Sequence, residues 1–305
     1  MAGGVGSRMG EADSQATTKA TKPQYGGQAV IEGVMMRGPE GFAVAVRKPD
    51  GNIGILREHT VAPSRRKGPL AWPFVRGAAV FVDSITIGVR SLMMSMELAG
   101  EEDEKLTPVQ TTMTVVLALA FAVGLFIVLP TVVMSFARRS ASRVPVFLMN
   151  LAEGLLRAVI FACYVTAIAR MKDIQRVLAF HGAEHKVINA FDSGDDLTVE
   201  SVRKRTTIHP RCGTSFLLFV VLVGSVLFSF FGWPSVIQRV LTRLALLPLV
   251  AGISYELLRL SGTSSSPIVK ALRAPGMWFQ RLTTREPDDK QIEVAIEALK
   301  AVAAS

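Results

Sequence analysis

Apolar positions along the chain fall into long unbroken runs and shorter periodic stretches, and the two patterns predict different elements. The runs are long enough to cross a bilayer, which takes about 20 helical residues. Thr111–Ala137 is the clearest, with no charge in MTVVLALAFAVGLFIVLPTVVMSFA, and Thr214–Trp233 is the second. Val144–Ala169 and Leu241–Leu260 are the third and fourth, each carrying a few ionisable residues. Trp72–Leu98 is also apolar and helical in pattern, but Arg76, Asp83, Arg90 and Glu97 recur every seven residues along one narrow face. A charge at a bilayer centre costs about 2.5–3.5 kcal/mol on the insertion scale. This segment therefore reads as an interfacial or re-entrant helix that packs its polar stripe onto protein, not as a fifth span.

The periodic stretches lie outside these runs. Phe42, Val44 and Val46 alternate, KPDGN signals a turn, and Ile53 and Ile55 resume the alternation, which predicts a β-hairpin within 42–61. The Gly-dense stretch YGGQAVIEGVMMRGP (25–39) precedes it. A helix over Lys172–Phe191 puts Ile174, Val177, Leu178, His181, His185 and Ile188 on one core-facing stripe. Asp288 and Asp289 suit a helix N-terminus, and Ile292, Ala295, Ile296 and Leu299 give that helix an apolar face to dock with. Residues 1–22 are polar and lack the apolar segment of a signal peptide, as expected of a disordered leader. Arg65, Arg66 and Lys67 form a basic knot, and GEEDE (100–104) returns the chain to water before the first span.

The expected fold is a mainly α polytopic membrane protein with about four transmembrane helices, a small N-terminal β-hairpin and a cytosolic helical region. Its divisions are a leader (1–22), an N-terminal cytosolic region (23–110), spans one and two (111–169), a cytosolic loop (170–213), spans three and four (214–260) and a cytosolic tail with a helix (261–305).

Composition agrees with this picture. Half of the 305 residues are hydrophobic and the mean hydropathy is +0.36, more apolar than a soluble domain of this length. The net charge of +9 does not point to nucleic acid, because basic patches interleaved with aromatics are missing and Tyr occurs three times. It bears instead on orientation. The 170–213 loop alone holds eight basic residues, which favours a cell-membrane protein with both termini cytosolic, although Arg138, Arg139 and Arg143 in the first outside connection argue the other way. Cys163 lies in a span and Cys212 follows a Pro-Arg pair, so no disulfide framework is implied.

The candidate chemistry sits on the helical stripe. In FHGAEHKVIN, His181 and His185 are one turn apart and can chelate a single ion, with Glu184 beside the second. This is the H-x-x-E-H arrangement of inverted zinc peptidases, in which the carboxylate serves as general base. His209 and Cys212 follow in the same loop and are further candidate ligands, imidazole and thiolate being the usual zinc donors. Glu184 is thus the candidate catalytic residue, His181, His185, His209 and Cys212 the candidate metal ligands, and a divalent ion, zinc first, the expected cofactor. Glu32, Arg37 and Glu256 are weaker candidates, Glu200 a possible distal ligand, and Glu153 with Arg157 the simplest ion pair at i, i+4.

The blocks YGGQAVIEGVMMRGP, FHGAEHKVINAFDSGDDLTVESVRK, HPRCGTSFL, LPLVAGISYELLR and LTTREPDDKQIEVAI together resemble the YqhQ-like family of bacterial membrane proteins, in order and from Tyr25 to Val302. That resemblance implies a metal-dependent enzyme with its motif on His181, Glu184, His185, His209 and Cys212. The expected activity is metal-assisted hydrolysis of a peptide or lipid-linked substrate at the cytosolic membrane surface. The rival is a non-enzymatic assembly or translocation-associated factor in a membrane protein complex, in which the four ligands close a structural site. A transporter ranks third, since no discontinuous repeat pair is visible. The bilayer is the expected partner, and the oligomeric state is not indicated.

Overall fold

The computed structural model describes residues 24–60, 68–100, 107–263 and 266–304. The leader, the basic knot at 65–67 and most of GEEDE lie outside the described residues. Four strands come first: β1 (Gly26–Val30), β2 (Gly33–Arg37), β3 (Gly41–Arg47) and β4 (Ile53–His59). They form an antiparallel meander in sequence order, with Val44 opposite both Met35 and Leu56. The expected hairpin is therefore half of the sheet. The Gly-dense stretch before it supplies the other half, which alternation did not reveal because β2 is buried on both faces. Val34, Met36, Ala43 and Ala45 pack on one side, while Met35, Phe42, Val44 and Val46 pack on the other.

Helices cover both faces. On one side lie α5 (Lys172–Ser193), the short α6 (Val199–Arg203) and α10 (Asp289–Ala303), through Phe180, Ala183, Val187, Ile292, Ala295 and Leu299. The start of α10 carries a reciprocal capping box between Asp288 and Gln291. The other side is covered by the second half of α1 (Val75–Leu98), through Ile87, Met94 and Leu98. Three of the four charges on the polar stripe of α1 are spent on protein partners. Arg76 binds Glu256 at 2.6 Å, Asp83 meets Arg37 at 2.5 Å, and Arg90 meets Glu58 at 2.7 Å.

The remaining helices form a bundle. α2 (Pro108–Val123), a π-helical turn (Gly124–Val128) and α3 (Leu129–Ser140) run as one 33-residue helix. Pro130 has no N–H to offer the carbonyl of Phe126, and Arg157 on α4 (Val146–Ile168) donates to that carbonyl instead, at 2.7 Å. α7 (Gly213–Ser229) packs between α4 and α8 (Val236–Thr263). α9 (Pro267–Thr283), which the sequence reading did not separate from the tail because Pro275 and Gly276 interrupt it, crosses α7.

Four helices among the described residues are long and apolar enough to cross a membrane: Val75–Leu98, Pro108–Ser140, Val146–Ile168 and Val236–Gly262. This set differs from the four runs read above. It includes α1, and it leaves out α7, which at 17 residues is about 26 Å long against a hydrocarbon core near 30 Å. By its contacts, however, α1 belongs to the sheet along its second half, and α7 belongs to the bundle.

The first half of α1 lies against α8 at close range. A Cβ on Gly252 would sit 2.3 Å from the carbonyl oxygen of Phe74, and one on Gly77 would sit 2.7 Å from Gly252 Cα. Gly252→Val should therefore pry α1 from α8 and destabilise the protein by about 1–3 kcal/mol. Thermal unfolding in detergent, compared with Gly124→Val, where a Cβ meets nothing within 4 Å, measures the difference.

Candidate functional site

The site forms where α5 is crossed by the segment following α9. The N–H of Arg285 donates to the carbonyl of Leu178 at 2.9 Å, laying that segment directly on the helix. Only glycine at position 182 permits this, because a Cβ there would lie 2.0 Å from the Arg285 carbonyl oxygen. The crossing brings the Thr283 carbonyl to 2.7 Å from His181 Nδ1. One turn further on, His185 Nδ1 meets the Thr207 carbonyl at 2.6 Å. A carbonyl only accepts, so both rings carry their proton on Nδ1 and present the lone pair of Nε2. This is the arrangement in which imidazoles bind metals, the outer N–H being fixed by an acceptor.

Cys212 comes from the other side, as the N-cap of α7. Its Sγ lies 3.3 Å from His181 Nε2 and accepts from the Thr214 N–H at 3.4 Å. One donor atom each from His181, His185 and Cys212 lie within 4.8 Å of one another. Ligands held tetrahedrally at 2.0–2.3 Å from one ion are about 3.3–3.8 Å apart, so the sulfur–imidazole pair already has that spacing and the widest pair must close by about 1 Å. Glu184 completes the wall. Its Oε1 accepts from the Gly27 N–H of β1 at 2.9 Å, and its Oε2 is 4.0 Å from His181 Nε2.

Two buried atoms here have no hydrogen-bond partner: His185 Nε2 and Glu184 Oε2. Leaving such atoms unpaired costs about 1–3 kcal/mol each. Burial pushes the Glu184 carboxyl above its ordinary pKa, against the opposing pull of His181 and the Gly27 N–H. Two imidazole lone pairs, a thiol and an unpartnered carboxylate oxygen fit a divalent cation of the zinc type.

His209 stands apart from this cluster. Its Nε2 is directed at Asp192 Oδ2, 3.5 Å away, and its Nδ1 accepts from the Arg211 N–H at 3.4 Å. Burial lowers its pKa, with Asp192 acting against the shift. Its backbone is clamped by Gln280, whose Oε1 accepts from the His209 N–H and whose Nε2 donates to the His209 carbonyl, each at 2.8 Å. His209 thus anchors the loop that carries Thr207 and Cys212.

The weaker candidates are engaged elsewhere. Glu256 is held bidentately by Arg76, with Arg259 at 3.8 Å. Glu32 pairs with Arg176, Arg37 with Asp83, and Glu200 with Lys204 on the surface. Glu153 pairs with Arg157 as expected, and also with Arg239 and Arg243. Sequence reasoning missed Gly27, Thr207, Thr283 and Gln280. The first three act through backbone atoms, which leave no residue-type signal.

A family model described as "Protein of unknown function (DUF1385)" matches residues 72–305. The chain belongs to this family. A Bacillus subtilis (strain 168) relative, titled "Uncharacterized protein YqhQ", is 34% identical over 295 residues, covering 90% of this chain and 91% of the relative. No solved structure matches. The residues matched to the family include α5, Cys212 and Thr283, whereas the strand that supplies Gly27 lies before them.

Gly182→Ala should displace the Thr283–Arg285 segment from α5 and free His181 Nδ1. Expected is a loss of about 1–3 kcal/mol of stability, together with a changed imidazole tautomer ratio at His181 by nitrogen NMR. A variant with unchanged tautomers would show that the crossing does not fix the ring.

Proposed function

We propose that this protein is a multi-pass membrane protein with metal-dependent hydrolase activity at the membrane surface. Its ion, zinc by donor chemistry, is held by His181, His185 and Cys212. The observation that carries the reading is the pair of unpartnered buried atoms, His185 Nε2 and Glu184 Oε2, beside a cysteine sulfur. Three protein donors, with His209 turned away, match a catalytic shell better than the four of a structural one.

The bound ion would supply Lewis acidity and bring water's pKa toward neutrality. The protein groups do the rest. Thr207 and Thr283 hold the two rings in the ligating tautomer through Nδ1. The Gly27 N–H holds Glu184 by Oε1, leaving Oε2 to take a proton from the attacking water and return it to the leaving group. The site lies where α7 begins and α8 ends, Ser261 on α8 reaching the Pro210 carbonyl at 3.4 Å. Nearby, α9 exposes Ile268, Leu272 and Trp278. A substrate at the bilayer surface, a peptide or a lipid-linked molecule, suits this position.

One observation favours the rival. Glu184 Oε2 lies only 4.0 Å from His181 Nε2, so the carboxylate can itself complete a four-ligand shell in a structural site of an assembly factor. Metal analysis of purified variants, paired with complementation of a deletion strain, separates the two. A base does not bind the ion, so Glu184→Gln should keep its metal and lose function. His185→Ala should lose both, and His209→Ala should keep the metal. Glu184→Gln protein that retains metal and complements fully would end the hydrolase reading, and one that loses its metal would favour the closed site.

The basic excess of the 170–213 loop supports an orientation with that loop and both termini in the cytosol. Reporter fusions after Arg139, Asp195 and Ser305 should then read outside, inside and inside. An outside signal at Asp195 would reverse the orientation.

A further inference from the structure

At the opposite end of α8 lies a second charged cluster that the proposed hydrolysis does not use. From Arg239 to Ser261 the helix runs 22 residues (261 − 239), about 33 Å at 1.5 Å per residue. At this far end Glu153 is buried in α4 and three guanidiniums share it: Arg157 at 3.3 Å, Arg239 and Arg243. All four side chains are buried. The other partners are neutral. Arg239 donates to Ser135 Oγ at 2.9 Å, Arg243 to Thr131 Oγ1, and Arg157 to the Phe126 carbonyl. Residues 129–168 and 213–250 contain six arginines and a single acid, Glu153.

The cluster therefore carries about two positive charges that no carboxylate among the described residues offsets, within helices suited to a bilayer. Isolated charges in that setting are expensive. The faces of Trp233 and Phe228 offset part of the charge, Arg239 lying 3.6 Å from the centre of the Trp233 ring. Arg239 Nε is buried and has no partner. Beside it is a cavity of about 70 Å³, lined by Asn150, Phe228, Phe231, Gly232, Arg239 and Arg243. One water needs roughly 10–15 Å³ on this measure, so the space admits a small tetrahedral oxyanion.

We propose that this cavity is a binding site for a phosphate group, presented by an anionic membrane lipid. Guanidiniums match phosphate oxygens with paired, charge-assisted hydrogen bonds, and a phosphate monoester supplies the missing negative charge. The lipid source follows from the surroundings. Phe147 and Leu151 on α4, Phe230 in the connecting turn, and Ile237 and Leu241 on α8 are all exposed, giving acyl chains an apolar surface beside the cavity.

The test uses the full chain, purified in detergent and stripped of lipid, with thermal unfolding as readout. Short-chain phosphatidic acid should raise Tm saturably, and the matching diacylglycerol, which differs only in lacking the phosphate, should not. An equal rise with inorganic phosphate alone would keep the oxyanion site and make its source a free ion. Arg239→Gln should weaken phosphatidic acid binding by about tenfold or more. Because that variant also disturbs the Glu153 pairing, Gly232→Phe is the second arm. A Cβ at Gly232 meets nothing within 4 Å, so a ring can be added at the cavity wall without a backbone clash and without removing a member of the ion pairs. Gly232→Phe should keep the ligand-free Tm and lose the ligand-induced rise. No rise with either phosphate probe, or an undiminished rise in Gly232→Phe, would overturn the proposal and leave the arginines as a knot that ties α3, α4 and α8 together.

Discussion

Two imidazole N–H groups, each donating to a backbone carbonyl, are the constraint on which the candidate site rests. Had His181 or His185 used Nε2 for its bond to Thr283 or Thr207, the lone pairs would face away from Cys212. The carbonyls are available only because the Thr283–Arg285 segment lies on α5 at Gly182 and because Gln280 clamps the 207–212 loop through His209. A glycine, a glutamine and a histidine that supply none of the candidate donor atoms therefore decide the direction of two lone pairs. The unpartnered oxygen of Glu184 has a similar origin, since Gly27 occupies one carboxylate oxygen and leaves the other free.

Much of the fold was legible because bilayer-length apolar runs and a single-faced helical stripe are strong signals. Lys172–Phe191 was read as helical with His181 and His185 on the buried side, and α5 occupies Lys172–Ser193. The differences have physical causes. The second strand was missed because it is covered on both faces and has no polar side to alternate with, as the unbroken buried run from Gly33 to Met36 shows. The apolar run Thr214–Trp233 is longer than α7, because hydropathy continues through Phe230 and Phe231, past the helix end at Ser229. For the site, spacing along α5 was enough to pair the two histidines. Whether His209 or Cys212 joins them depends on the path of a loop, which residue types do not encode.

The charge pattern that made orientation ambiguous also has a structural counterpart. Arg138 takes up carbonyl groups at the end of α3 and lies over Trp233, and Arg239 and Arg243 turn inward onto Glu153. Arginines at this end are thus partly absorbed into the bundle. Those of the 170–213 loop form pairs on the surface, Arg203 with Asp289 and Arg205 with Asp195. A count of basic residues treats both groups alike, although their contact with water differs.

The bond between His181 and Thr283 joins residues 102 positions apart. On a ribosome adding about 5–20 residues per second, that interval lasts roughly 5–20 s. Throughout it α7 and α8 are made while the ring of His181 has no Thr283 carbonyl to donate to. Assembly of the donor cluster is thus among the last events in the making of the protein. The direction of the His181 lone pair is therefore set by the last part of the chain to emerge, long after the helix that carries the histidines.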